Sequence, residues 1–500
     1  MSNYFYNLLK IFMINKISNT GFNFDNSYIE LPPEFYSPAN LQPVKSPQLV
    51  ILNNELSNSL GLNTDFLKSQ EGIYIMSGNI KIPDGAYISQ AYAGHQFGGF
   101  TMLGDGRALL IGEQITPSNQ RFDIQLKGSG RTPYSRNGDG RAVLGPMLRE
   151  YIISEAMHGL NIPTTRSLSV ISTGENVYRE TIQQGAILTR VASSHIRFGT
   201  FEYAAYMLDY EKLKKLSDYT IKRHFPFLEN NENKYINLLD EVIKLQASLV
   251  AKWQSVGFIH GVLNTDNMSI CGETIDYGPC AFMDVYNPDT VFSYIDTNGR
   301  YAYKNQIAIV NWNLYRLAET LLPIINLDEN KAIELAQNSL SKFINLATSN
   351  LSHEMCSKIG IFEPKTSDID LLNELLNMMQ KYKEDYTNTF IALTFNDLPQ
   401  KGMFISEEFI NWKKKWEETL TLQNKSKDEV FDLMKNSNPA VIPRNHRVEE
   451  ALSAANNRDF SVMNNLLKAL SNPFEHSEFQ KEYAKLPSTP QCNYRTYCGT

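Results

Sequence analysis

The chain has 500 residues, enough for two or three packed subdomains rather than one compact core. A fifth of its residues are charged and 42% are hydrophobic, an ordinary balance for a globular protein, and its formal net charge is −7. That acidity argues against a nucleic-acid partner held by overall charge, and the apolar runs are far too short to span a bilayer, so neither nucleic acid nor membrane is expected as a partner.

Met1 to Lys16 is apolar, carries two lysines and no small-residue cleavage site, and so does not read as a signal or transit peptide; a cytoplasmic protein is expected. Residues 17 to 60 interleave five prolines, Pro32, Pro33, Pro38, Pro43 and Pro47, with short apolar runs, which suggests an extended arm over a domain. From about 85 to 130 the pattern is strands and turns. Asp105-Gly106 between apolar runs reads as a hairpin, and Phe122, Ile124 and Leu126 alternate with Asp123, Gln125 and Lys127 as in a strand. Two glycine-rich loops follow, at 128–133 and 137–140, then a helix through Arg149, Glu150 and Glu155 that Gly159 can end. Residues 160 to 205 return to strand alternation. Helical periodicity dominates from there: 233–257, 306–350, and most of the last 170 residues, with irregular stretches near 386–404 and after 485.

The chemistry concentrates in His260-Gly261-Val262-Leu263-Asn264-Thr265-Asp266-Asn267 and in Ile275-Asp276-Tyr277-Gly278. The spacing is that of the protein-kinase catalytic loop, H-R-D-x-x-x-x-N, followed by D-F-G, in which Asn and the second Asp hold Mg²⁺ against the phosphates of ATP. Val262 stands where the kinase base stands, and valine accepts no proton. Asn267 and Asp276 are thus the metal-ligand candidates, and Asp266 is the replacement candidate for a base, its bland reading being a solvated or capping carboxylate. His260 reads as a brace for the loop. Lys127 and Glu150 are placed like the strand lysine and helix glutamate of kinases, although such pairs are also common on surfaces. Gly104, Gly106, Arg107, Gly128, Gly130, Arg131, Gly138, Gly140 and Arg141 suit close backbone approach and arginine forks on phosphate, or else a set of tight turns; none matches a Walker A loop. Arg190 and Arg197, seven residues apart, could face one polyphosphate from a single face. Asp284, Asp289 and Asp296 read as surface. The cysteines, Cys271, Cys280, Cys356, Cys492 and Cys498, have no zinc-ligand spacing.

Tyr92-Ala93-Gly94-His95-Gln96-Phe97-Gly98, Lys127 to Ser135, His260 to Asn267, Thr274 to Pro279, Asn438 to Asn445 and the tail Tyr497-Cys498-Gly499-Thr500 together resemble the SelO (YdiU) family over nearly the whole chain. The resemblance implies a protein-kinase-like fold that binds ATP in a flipped orientation and transfers AMP to Ser, Thr or Tyr hydroxyls of proteins. It implies nucleotide contacts at Gly104, Gly106, Arg107, Lys127, Asp139, Gly140, Arg190 and Arg197, Asp266 as proton acceptor, and Mg²⁺ at Asn267 and Asp276. Many eukaryotic members carry selenocysteine where this chain has Cys498, and some bacterial members have a partner cysteine after the metal Asp; here Val291-Phe292-Ser293-Tyr294 has none, with Cys280 as a substitute candidate.

The expectation is therefore α+β and bilobal: an N-terminal extension (1–84), a β-rich kinase-like N-lobe (85–205), a helical C-lobe with the catalytic loop (206–350), and further C-terminal helices with a cysteine-bearing tail (351–500). The expected activity is ATP- and Mg²⁺-dependent protein adenylyltransfer, with Mn²⁺ as an alternative metal. Its rivals are a conventional kinase using Asp266 and an ATP-binding pseudokinase scaffold.

Overall fold

A computed structural model describes residues 20–487 and 494–496. Twelve strands are described: Tyr36–Pro38 (β1), Gln48–Leu52 (β2), Ile88–Gln90 (β3), Ala93–Gln96 (β4), Gly99–Met102 (β5), Ala108–Ile115 (β6), Arg121–Lys127 (β7), Ala142–Val143 (β8), Arg166–Tyr178 (β9), Ile182–Ala192 (β10), Phe258–Ile259 (β11) and Ala281–Phe282 (β12). Eight of them form one antiparallel sheet in the order β1-β3-β6-β7-β10-β9-β2, with β8 beside β10.

The alternation in β7 sorts its residues onto two covered faces. Ile124 and Leu126 join Leu109, Ile111 and Ile187 on the side roofed by three short helices, Asn54–Ser59 (α1), Thr64–Lys68 (α2) and Gln70–Met76 (α3). Leu110, Val170 and Leu188 lie on the other side, under the helix Leu144–Gly159 (α4). Residues 36–52, expected as an arm laid over a domain, instead supply both edge strands of this sheet. Strand β1 is three residues long with a proline, short enough that no period-2 signal announces it. The expected hairpin across Asp105-Gly106 is also corrected: β5 turns back on β4 at Phe97-Gly98, and residues 103–107 carry the chain from that small hairpin into β6. The reason is burial. Asp105 is 3% exposed, taking the Gln90 amide at 3.2 Å and the Gln125 side chain at 3.0 Å, rather than tipping a solvated turn.

Helices take over with Phe198–Met207 (α5), Tyr210–His224 (α6) and Lys234–Ser255 (α7), and, after the β11 and β12 strands, Gln306–Ile325 (α8), Glu329–Leu340 (α9) and Phe343–Ser357 (α10). The apolar stripe of α7, Leu239, Val242, Ile243 and Val250, is fully buried in the same core as α4. A second core gathers Thr366–Tyr382 (α11), Tyr386–Phe395 (α12), Glu407–Leu422 (α13) and Lys427–Ser437 (α14) around stacked Trp412 and Trp416 and the underside of β11 and β12. The helix α12 corrects the irregular stretch expected at 386–404: Asp385 caps it, accepting the Asn388 amide at 2.7 Å. Asn445–Asn456 (α15) and Ser461–Leu470 (α16) pack on the back of α4, and Glu478–Tyr483 (α17) ends the helical part. Among the described residues no helix is long and apolar enough to cross a membrane. The N-terminal sheet and the C-terminal helices thus meet along α4, α5 and the loops that leave β11 and precede β12.

Candidate active site

The polar face of β7 is buried, so each of its side chains needs a partner. Asp123 takes His195 Nδ1 at 3.0 Å and Arg223 at 2.6 Å, and Gln125 accepts Arg190 Nη2 at 2.5 Å. Lys127, at the strand end, donates to Glu150 Oε2 of α4 at 2.5 Å and to Asp276 Oδ1 at 3.2 Å. Antiparallel register sets Arg190 of β10 opposite Gln125, on the face Lys127 uses, and its Nη1 reaches Asp276 Oδ1 at 2.5 Å. Arg197 arrives differently, as the N-cap residue of α5, and donates both to the Asp276 carboxylate and to the main-chain oxygen of Asp266 at 2.7 Å. A strand and a helix start therefore bring Arg190 and Arg197 together, not the single face expected from their spacing.

Asp276 sits in the left-handed backbone region, with φ of +63°, uncommon for a residue with a side chain and a recurring mark of functional sites. Burial opposes its ionisation, but Arg197, Arg190 and Lys127 outweigh burial and hold its carboxyl well below the usual range. His260 is fully buried and kept neutral by that burial; its Nε2 meets the Ile275 carbonyl at 2.9 Å, bracing the residue before Asp276. Val262 is 8% exposed and belongs to the main core, so the kinase-base position is filled by packing.

Asp266 opens differently. It is 7% exposed, its Oδ1 has no hydrogen-bond partner, and Oδ2 receives only a long contact of 3.5 Å from Gln96. Burial, partly offset by Arg197, pushes its carboxyl up to about 6. The β4–β5 hairpin covers it so closely that a Cβ on Gly94 would stand 2.4 Å from Asp266 Oδ1. Sequence reasoning missed what fastens that cover. Glu202 of α5, fully buried, accepts Thr265 Oγ1 at 2.8 Å and His95 Nδ1 at 2.7 Å, and Thr265 Oγ1 accepts the His95 amide at 2.7 Å. No spacing rule reaches a glutamate 107 residues from its histidine; only the Tyr92–Gly98 string hinted that this segment matters.

The remaining predicted residues are more dispersed. Gly104 and Gly106 lie under Tyr134: a Cβ at Gly104 would meet its ring at 2.5 Å and one at Gly106 its carbonyl at 2.9 Å, a packing reason for both glycines. Arg107 makes no hydrogen bond or ion pair with another described residue through its side chain. Asp139 pairs with Arg179 at 2.9 Å, and Gly140 crosses against Gly130; no hydrogen bond or ion pair links either to the Lys127–Asp276 knot. Asn267 donates its side-chain amide to the Val262 carbonyl at 2.9 Å, which orients the amide oxygen as the group left for a cation. Of the acids read as surface, Asp289 is exposed, but Asp284 is largely buried, pairing with Arg444 at 2.5 Å, and Asp296 is 4% exposed. Cys280 is fully buried and burial pushes its thiol up to about 12, poor chemistry for exchange; Cys498 lies outside the described residues.

The donor set suits a hard cation and a polyphosphate taken together. No three His, Cys, Asp or Glu among the described residues gather as a metal cage. Mg²⁺ needs no such cage, since one or two protein oxygens suffice when phosphates complete its sphere. Asn267 and Asp276 would supply those oxygens, and Lys127, Arg190 and Arg197, now turned on one carboxylate, would supply the counter-charges to phosphate.

Comparison with known proteins gives the family. A family model described as protein adenylyltransferase SelO matches residues 19–471. The chain is 62% identical over 487 residues to a protein nucleotidyltransferase YdiU of Bacillus cytotoxicus, covering 97% of this chain and 99% of that one. It is 60% identical over 484 residues to the Clostridium beijerinckii protein of that name (97% and 99% covered) and 59% over 483 to that of Halalkalibacterium halodurans (96% and 98% covered). Matches of this length and identity make the chain an enzyme of the nucleotidyltransferase class. It belongs to the SelO family.

Proposed function

We propose that the enzyme transfers AMP from ATP to Ser, Thr or Tyr hydroxyls of proteins on a bilobal, kinase-like architecture, the β-sheet part forming one lobe and the helices from α5 onward the other. The observation that carries the reading is the division of labour around Arg197: three cations gathered on Asp276 on one side, a buried carboxylate with a free oxygen on the other, and a core valine where a kinase base would be.

In this reading the hydroxyl oxygen of the acceptor attacks the α-phosphorus, the bond to the bridging oxygen breaks, pyrophosphate leaves, and the hydroxyl proton passes to Asp266. Lys127, Arg190 and Arg197 hold the charge that accumulates on the leaving pyrophosphate, in a setting where desolvation strengthens each contact. Glu150 keeps Lys127 aligned. Arg107, unspent in the fold, is the further guanidinium offered to phosphate, with Gly104, Gly106, Asp139 and Gly140 as the loop positions closing on the nucleotide. Asn267 and Asp276 are the residues to hold Mg²⁺ or Mn²⁺, which when bound neutralises phosphate oxygens.

Intact-mass spectrometry after incubation with ATP and Mg²⁺ tests this. A gain corresponding to AMP on the enzyme or an added acceptor protein, absent for Asp276→Ala, supports it; a gain corresponding to phosphate makes the enzyme a kinase and overturns it.

A further inference from the structure

Arg190 is aimed by a chain of hydrogen bonds that starts in another loop. Gln125 is fully buried in the middle of β7, and the antiparallel register sets Arg190 of β10 opposite it. Gln125 Oε1 accepts Arg190 Nε at 3.2 Å and Nη2 at 2.5 Å, so one edge of the guanidinium is gripped twice. Nη1 is left for Asp276 Oδ1 at 2.5 Å and, more distantly, for Glu150 Oε1 at 3.5 Å. An amide alone does not enforce this arrangement, because turning it over exchanges its oxygen for NH2 and sets donors against donors. Asp105 Oδ2 opposes that turn. It accepts Gln125 Nε2 at 3.0 Å, and an ionised carboxylate facing the amide oxygen instead would have no proton between them.

Asp105 is itself anchored. Its amide donates to the Gln90 carbonyl at 2.9 Å, its Oδ2 takes the Gln90 amide at 3.2 Å, and its carbonyl accepts Thr132 Oγ1 at 2.6 Å. It makes no ion pair among the described residues, and burial pushes its carboxyl up to about 6 against the pull of Arg197 and Arg190. A buried acid without an ion pair costs stability, and such groups collect where geometry is set for chemistry. The hydrogen bond from Thr132 also makes Asp105 the point where the loops 103–107 and 128–133 join.

We infer that Asp105 is a positioning residue: through Gln125 it fixes the plane of Arg190 so that Nη1 meets the polyphosphate, and it ties that arginine to the two glycine-rich loops. The inference rests on the adenylyltransfer reading for what Arg190 holds, a leaving pyrophosphate. The aim of the guanidinium does not depend on which phosphorus is attacked. Asp105 touches no reacting atom in this assignment; its effect reaches the nucleotide only by way of Gln125 and Arg190.

The test is a double-mutant cycle on the full chain, reading the transfer rate and the calorimetric affinity for ATP and for adenosine. Asp105→Leu, which cannot accept a hydrogen bond, should slow transfer about a hundredfold and weaken ATP about tenfold, with adenosine affinity unchanged. In an Arg190→Met background the same substitution should add less than about twofold to either loss, since the group it aims is gone. Asp105→Asn should stay close to wild type, its amide oxygen accepting both protons that Oδ2 takes. Equal losses for Asp105→Leu with and without Arg190 overturn the inference. So does an Asp105→Asn variant that fails as badly as Asp105→Leu, which would make charge rather than aim the contribution. If Asp105→Leu does not fold, Gln125→Leu takes its place in the cycle: additive losses overturn the inference and non-additive ones support it. Phosphate rather than AMP on the acceptor, with the ATP-affinity cycle still non-additive, fails the adenylyltransfer reading and leaves the Asp105 assignment standing.

Discussion

Nη1 of Arg197 donates to the main-chain oxygen of Asp266 at 2.7 Å, and the same nitrogen reaches the carboxylate of Asp276. One guanidinium thus sets the spacing between the proposed proton acceptor and the proposed metal ligand, while the Tyr92 ring packs 4.7 Å from its centre. Lysine has no planar guanidinium to stack on that ring. Arg197→Lys should lower kcat by about two orders of magnitude, in line with losing one preorganised donor. It should cost only about 1–3 kcal/mol in urea unfolding, since Lys127 and Arg190 still compensate Asp276. A variant with wild-type kcat would show that Arg197 is structural alone.

Asp276 makes the opposite case. Removing it takes away a proposed metal ligand and also releases Lys127, Arg190 and Arg197 from the carboxylate they share. Asp276→Ala should abolish transfer but retain ATP binding, and that binding should become insensitive to EDTA, because the freed cations meet the polyphosphate directly. Calorimetric titration with and without chelator checks it; full loss of binding in the variant would place the metal, not the cations, in charge of nucleotide affinity.

Asp266→Asn preserves shape and removes the proposed proton acceptor. Transfer should slow by about 10²–10⁴-fold, the usual scale of general-base catalysis, with nucleotide affinity retained. Single-turnover transfer under saturating ATP is the measurement, and an unchanged rate would make Asp266 a bystander buried under the hairpin.

Local spacing made the ends of the site legible and its fastenings illegible. His260 to Asn267 and Asp276 lie on one short stretch of loop, so a spacing rule suffices, and Lys127 at the end of an alternating strand was visible for the same reason. Glu202 sits in a helix whose buried face gives no hint that one residue is a carboxylate aimed at Thr265 and His95. Arg190 and Arg197 were found, but the sheet register and helix start that join them are long-range facts. The edge strands at 36–52 and the α12 helix failed for local reasons. The former are too short to show a period, and the latter announces itself only through its Asp385 cap, whose carboxylate is held by Arg444 fifty-nine residues away.

Glu202 yields its own prediction. Glu202→Ala removes the acceptor shared by Thr265 and His95 and leaves a buried hydroxyl and ring nitrogen without that partner, a cost of about 1–3 kcal/mol. The β4–β5 hairpin should then lift from the catalytic loop. Limited proteolysis should cut within residues 93–102 faster than in wild type, and kcat should fall with ATP affinity intact. Unchanged protection of that segment would mean that the His95 amide contact to Thr265 at 2.7 Å and the Asn264–Phe97 contact at 3.1 Å hold the hairpin without Glu202.

Lys358 tests the C-terminal helical core by pH. It is 2% exposed at the end of α10, with Nζ 3.3 Å from the Ser437 carbonyl and 4.7 Å from the Phe390 ring centre, and burial pulls its ammonium down to about 7 from the ordinary 10.5. Between those two values the unfolded chain binds the proton that the folded one has lost, so this residue makes stability rise with pH across that window. Below about 7 both states carry the charge and the full cost of burying it remains. Glu354 offsets part of that cost, and the net downward shift leaves a penalty on the order of a few kcal/mol for the lysine. Lys358→Met fills similar volume without a charge. It should raise the unfolding midpoint at pH 6 by several degrees, with the advantage over wild type shrinking steadily as pH approaches 10. An advantage that is the same at pH 6 and pH 9 would show that Lys358 stays protonated in the fold, held by the ring and the carbonyl.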